Sequence, residues 1–216
     1  FVPAGADGDA VVAAARAALV AAPGATMLAA EIRDRYVGGV ERLLAVPGVE
    51  LVARSETPGG AAGASATLVT TDLATLTGAH RAVLETECFG AVAVVVRYGD
   101  ADGLGAALAT LAPALTFTVH AEADDPMGAA LIDVGRGRAG RVIVNGYPTG
   151  VGVSWSMHHG GPLPAATSSL HTSVGASAMR RWLRPVCYQA TPDAWLPPAL
   201  REANPWGVPR RVDGAY

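Results

Sequence analysis

The chain has 216 residues, half of them hydrophobic, so one domain with a sizeable core, or one plus an appendage, is expected. A net charge of −3 gives no electrostatic case for nucleic acid, and no apolar run reaches the ~18 residues of a membrane span. Two distant cysteines make no disulfide framework and fit a reduced, cytoplasmic setting, while the absence of any Lys excludes Schiff-base catalysis and a P-loop lysine.

The chain opens Phe1-Val2-Pro3, inside what reads as a strand ending, without Met or signal peptide; a truncated gene product is expected. Residues 8–22 are Ala-rich and predict a helix ended by Pro23-Gly24. Residues 27–46 predict a second, with Leu28, Ile32, Tyr36, Val40 and Leu43 on one face. Val49 to Arg54 reads as a strand, 58–65 as a flexible Gly-rich connection or turn, Ala66 to Thr71 as a strand and 73–82 as loop or short helix. Ala91 to Tyr98 is a continuous apolar run, as in a sheet covered on both faces. A helix over 101–111, a strand from Leu115 to His120, a helix over 125–136 and a buried strand from Arg141 to Asn145 follow. This alternation implies right-handed βαβ units and a parallel sheet, hence an α/β fold in three layers, mostly parallel, with helices on both faces. Residues 173–182 read as a helix and Leu183 to Tyr188 as a strand. From Thr191 five prolines describe an irregular tail that wraps a surface. The expected division is 1–172 for the main α/β unit and 173–216 for the terminal helix, strand and tail.

Several groups invite a chemical reading. Gly135-Arg-Gly-Arg-Ala-Gly140 matches G-x-G-x-x-G, but it follows a helix and precedes a strand, the reverse of a dinucleotide fingerprint; a helix C-cap with glycines at φ > 0 is the better reading. His158, His159 and His171 have no carboxylate between Val134 and Asp193 to complete a metal site, so the pair His158 and His159 reads as lining a polar pocket mouth. Cys88, beside Glu87, lacks the positive neighbour that makes a reactive thiolate and reads as inert, as does Cys187. Glu87 alone reads as a solvated loop carboxylate. From Gly146 the periodicity stops for about twenty-five residues. So long a loop, leaving the carboxyl end of a strand where α/β sheets place ligands, is a candidate site.

A family resemblance runs through these same segments. Gly140-Arg-Val-Ile-Val-Asn-Gly-Tyr-Pro-Thr-Gly-Val151, His159-Gly-Gly-Pro162, Thr172-Ser-Val-Gly175, Arg184-Pro-Val-Cys-Tyr-Gln189 and Asn204-Pro205 resemble the C-terminal part of an aldehyde dehydrogenase, and Glu85-Thr-Glu-Cys-Phe-Gly90 resembles that family's E-E-x-F-G-P. Within the family the 2-oxoglutarate semialdehyde (2,5-dioxovalerate) branch is the most similar. The resemblance implies an NAD(P)-dependent oxidation of an aldehyde to the acid: a Cys thiolate attacks the carbonyl, hydride passes to NAD or NADP, and a Glu-activated water hydrolyses the thioester. The nucleophile belongs to a G-Q-x-C motif that does not occur here, so no residue of this chain is assigned a catalytic role and the 216 residues alone are expected to be inactive. The chain would hold the later half of the catalytic domain and a terminal oligomerisation strand, in a homo-oligomer when full length. Glu87 matches the Glu that accepts hydrogen bonds from the nicotinamide ribose, and Phe89 the Phe that packs near the nicotinamide; Ala91, where the family has Pro, loosens that turn. The loop from Tyr147 to His159 would line the aldehyde pocket, with Pro148 stiffening its start, Thr149, Ser154, Ser156 and His159 as polar partners for a small carboxylated aldehyde, and Trp155 as an apolar wall. The other reading is a non-catalytic α/β binding or assembly module that kept the fold without the chemistry.

Overall fold

The computed structural model describes residues 1–216. It is an α/β structure built on a four-stranded sheet, a two-stranded sheet and a small two-stranded ribbon. The four-stranded sheet has the order β1 (Val2–Pro3), β6 (Val92–Tyr98), β5 (Thr67–Asp72) and β3 (Glu50–Arg54). β5 and β1 both run parallel to β6, and only β3 is antiparallel to its neighbour. β7 (Ala114–Val119) and β8 (Ala139–Val144) form a separate parallel pair, while β2 (Ala25–Thr26) and β4 (Gly63–Ala64) make the ribbon. No helix is long and apolar enough to cross a membrane.

The helices follow from composition and caps. α1 (Ala6–Ala21), rich in the best helix former, stops before Pro23 and packs on β3 and β5. α2 (Ala30–Leu44) buries Tyr36, Val40 and Leu43 at helical spacing. The short α3 (Leu73–Thr77) and α4 (Arg81–Glu85) come next, then α5 (Ala101–Thr110) and α6 (Pro126–Arg138). Three starts carry the same device. Asp72 accepts from Thr75 N–H at 2.7 Å, Asp100 from Gly103 N–H at 2.7 Å, and Asp125 from Met127 N–H at 2.9 Å with Pro126 in the first turn.

The core lies where α2 meets the four-stranded sheet. Val69 is fully buried with Val46 and Val49, and Tyr36 and Val40 pack with Ala64. Tyr36 donates its hydroxyl toward Ser65 O at 2.7 Å, Ala91 O at 3.0 Å and Thr67 Oγ1 at 3.1 Å, tying the helix to the entrances of β5 and β6.

Several expectations are corrected. The second helix begins at Ala30, not 27, and Leu28 is 94% exposed rather than on the core face, because residues 25–26 are held in the ribbon with β4. Over 58–65 the expected turn is present at residues 59–62, and residues 63–64 then pair with β2 in the ribbon. The βαβ alternation from 91 to 145 is present, but β7 and β8 do not join the sheet of β6, and β6 is only half-buried outside Val96. β8 is likewise half-buried, with Val144 57% exposed. Residues 176–182 form a 3-10 helix in place of the helix expected over 173–182. Residues 183–188 are irregular, since a strand forms only where another backbone pairs with it; Cys187 there is exposed rather than buried. The tail does not wrap the body through polar contacts: its side-chain hydrogen bonds close on itself, as in Asn204 with Val208 and Arg210 with Arg201 O.

Candidate functional site

Two loops carry the residues singled out from the sequence. The first, 86–91, joins α4 to β6 and is anchored at its base by Glu85. That carboxylate takes Arg81 Nε–H at 2.9 Å and a second Arg81 N–H at 3.1 Å, and it also accepts from Ala112 N–H at 2.9 Å. The paired guanidinium holds the Glu85 carboxyl below the usual carboxylate range, helped by the Ala112 amide. Arg81 also donates to Thr110 Oγ1 and O, so α4 is locked to the turn between α5 and β7. Two residues on, Glu87 is exposed and makes no hydrogen bond or ion pair, and Phe89 is 72% exposed. Glu87 stands on the rim of a cavity of about 590 Å³ whose walls include Phe1, Val94, Val96 and Leu115.

Cys88 turns inward between these two. Its thiol lies 3.7 Å from Tyr36 O and packs against Gly39, where a Cβ would come within 2.4 Å of the sulfur. Burial pushes the thiol up from its ordinary value, and Arg42 offsets this only in part. The geometry is that of a packed thiol rather than an exposed thiolate.

The second loop leaves β8 through Asn145, at φ 49°. Its side-chain amide accepts from Ala121 N–H at 3.0 Å and donates to Ala121 O at 2.8 Å, clamping the end of β8 to the end of β7. Tyr147 then stacks at a tilt on His120, with ring centroids 5.8 Å apart. His120 lines a cavity of about 460 Å³ between α5, α6 and β7. Arg141 donates to Pro148 O, which places a cation beneath a loop that contains none of its own. Beyond it, Thr149 is exposed and Trp155 is 72% exposed.

The far end of the loop is sewn down. His159 N–H donates to Thr172 Oγ1 at 2.7 Å, and His159 O accepts from Ser173 N–H at 3.0 Å and Ser173 Oγ–H at 2.9 Å. Thr172, 5% exposed, also donates to Val174 O at 2.6 Å. The Nδ1 of His159 is enclosed without a partner. None of Tyr147, Pro148, Thr149, Trp155, His158 and His159 lines either of these two cavities. Glu87 and Phe89 lie two positions apart on the first loop, and Tyr147, Pro148, Thr149, Trp155 and His159 follow one another along the second.

The glycine motif acts through closeness, not through φ. Gly135 and Gly137 continue α6, and a Cβ at Gly135 would lie 2.6 Å from the Phe117 ring. A Cβ at Gly140 would lie 2.0 Å from Gly160 O. Sequence reasoning did not single out Arg141, Asn145 or Thr172. Arg141 opens an apparently plain strand and Asn145 ends it, and the partners of all three emerge only on folding.

No family model matches the chain. It is 41% identical over 207 residues, 91% of its length, to alpha-ketoglutaric semialdehyde dehydrogenase 2 of Azospirillum brasilense, and spans 37% of that protein. In fold it is similar to a salicylaldehyde dehydrogenase from Pseudomonas putida G7 solved with salicylaldehyde, at a TM-score of 0.61 and 16% identity over 80% of this chain and 35% of that one. The delta-pyrroline-5-carboxylate dehydrogenase of Mycobacterium tuberculosis bound with NAD aligns at 0.52 and 20% identity, over 66% of this chain and 25% of that one.

Proposed function

Because the chain belongs to the aldehyde dehydrogenase superfamily, while spanning little more than a third of its curated relative, we propose that it is part of an NAD(P)-dependent enzyme that oxidises 2-oxoglutarate semialdehyde to the acid. The observation that carries the substrate is the 41% identity, sustained over nearly the whole chain, to a semialdehyde dehydrogenase. When bound, NAD or NADP would supply the hydride acceptor for the oxidation.

This chain's own share is to position. Glu87 is a carboxylate with both oxygens free, able to accept from two ribose hydroxyls, and Phe89 is an exposed apolar face beside it. Glu85 keeps the base of their loop still, which matters because positioning is worth several kcal/mol in catalysis. On the other loop, Thr149 and the backbone amides would take the aldehyde's remote carboxylate, Arg141 would supply positive charge from below, Tyr147 and Trp155 would wall the chain, and Thr172 would hold His159 in place. The 216 residues carry no G-Q-x-C nucleophile, so in this reading they do not turn over alone.

The test replaces the matching 207 residues of the Azospirillum enzyme with this chain and follows NAD(P)H formation. The isolated chain forms none, the chimera does, and Glu87→Gln in the chimera slows the hydride step by about 10- to 100-fold while leaving the melting midpoint in place. Thr149→Val weakens a carboxylated aldehyde more than an uncharged one of the same length. An unchanged hydride step removes Glu87 from the site, and equal losses for the two aldehydes remove the loop from substrate recognition.

A further inference from the structure

The loop of residues 86–91 is pinned at its start by Glu85, and a second set of contacts holds its far half. Cys88 turns inward, while Glu87 and Phe89 on either side of it are exposed. Whatever seats Cys88 and the residues after it therefore decides where Glu87 points. The seat is one face of α2. Gly39 leaves the notch that the Cys88 sulfur fills, and the thiol donates to Tyr36 O at 3.7 Å. One turn back along the helix, the Tyr36 ring closes on Gly90, where a Cβ would collide with the ring and with Met27. The ring ends in a hydroxyl 3.0 Å from Ala91 O. α2 thus meets the loop at 88, 90 and 91, and Tyr36 takes part each time.

The hydroxyl is well placed for this work. Tyr36 is 3% exposed, so water does not compete for its bonds. Burial pushes the phenol above its ordinary pKa, and it keeps its proton. That one proton serves two carbonyls, Ser65 O at 2.7 Å and Ala91 O at 3.0 Å. Ser65 follows β4 and Ala91 precedes β6, so sharing the proton fixes the end of the loop against a segment that the ribbon already holds. Ala91 O also accepts from Thr67 N–H at 2.8 Å. That bond ties the loop to β5; only the Tyr36 hydroxyl ties it to the helix that seats Cys88.

We propose that Tyr36 is a positioning residue for the dehydrogenase reaction: its hydroxyl on Ala91 O and its ring on Gly90, with the notch at Gly39, fix residues 88–91 and so aim the Glu87 carboxylate. The inference rests on the reading of Glu87 as the carboxylate that accepts from the cofactor ribose. Tyr36 itself is enclosed by the helix and the loop and touches neither substrate nor cofactor; it acts through Glu87.

Tyr36→Phe tests it, because it keeps the ring and removes only the hydroxyl. On the chain itself, nitrogen-15 relaxation reads the backbone order at Glu87. The order parameter lies near the rigid value of about 0.85 in the unaltered chain and falls toward about 0.6 in Tyr36→Phe. Val69→Ala, which opens the core away from this loop, lowers the melting midpoint and leaves the order at Glu87 in place. In the chimera with the Azospirillum enzyme, single-turnover NAD(P)H formation reads the hydride step. Tyr36→Phe slows it about 3- to 10-fold, the equivalent of one hydrogen bond. Added to Glu87→Gln, it slows the step by less than about twofold more, since the group it positions is already lost. A merely structural loss would multiply with that of Glu87→Gln. Unchanged order at Glu87 in Tyr36→Phe, or losses that multiply in the double variant, overturns the proposal. A Glu87→Gln chimera with an unchanged hydride step overturns instead the cofactor reading on which it rests.

Discussion

Glu85 shows how much one side chain can organise. Its carboxylate takes two N–H groups from Arg81 and one from Ala112, joining a short helix to a turn 27 residues away and steadying the loop that presents Glu87. Its pKa is lowered in the folded state, chiefly by Arg81, so its contribution to stability is fully present above the ordinary Glu value of about 4.3. That contribution is lost as pH falls through the lower, folded value. Glu85→Gln is therefore expected to lower the urea midpoint at neutral pH, and the gap between the two proteins to close as the solution is acidified below pH 4. A gap that stays constant with pH would mean that the charge of Glu85 does not hold this loop. At this scale the three Asp caps act within three positions, so their signal is local, yet the reading of the sequence did not single them out. Tyr36 was placed on the correct helix face, but its polar work, reaching Ser65, Thr67 and Ala91, depends on segments 29 to 55 residues away and leaves no local sign.

Among elements, the glycines of 135–140 separate two uses of the same residue. At Gly140 a Cβ would meet Gly160 O at 2.0 Å and Gly161 Cα at 2.9 Å, both backbone atoms, so neither can swing aside. At Gly137 nothing lies within 4 Å. Gly140→Ala should cost about 1–3 kcal/mol by prying β8 from the 160–161 segment. Gly137→Ala, inside α6, should be neutral or stabilise by up to about 1 kcal/mol. Denaturant midpoints decide it: equal effects at both positions would mean that the close approach at Gly140 contributes nothing. The longer strands and helices were read within a few residues of their true limits because their apolar spacing is strong. β2 and β4 were not, since two residues carry no period. The strand expected over 183–188 failed for the opposite reason: its pattern is adequate, but strand formation belongs to a pair.

For the whole molecule, composition and the βαβ rhythm indicated the fold class, and the segments resembling a family pointed to the relatives that the comparison found. What they could not indicate was how the strands divide between sheets, because both groupings use the same strands in the same order. That division has a kinetic side. β5 with β6 and β7 with β8 are joined by connections of ordinary length, whereas β1 reaches β6 across the 95 positions from Val2 to Arg97 for two residue pairs. The entropy of closing so large a ring must be met before those two pairs return anything, so in refolding the amino terminus docks last, and in unfolding it leaves first. Stopped-flow refolding with a fluorophore attached at Phe1 should show that probe lagging the burial of Tyr36, and simultaneous signals would count against it. Until that docking, Arg97 and Tyr98 extend the stretch of β6 edge, Val92 to Val96, that β1 leaves uncovered even in the folded chain, and pairing with another copy of the chain is easiest in this interval.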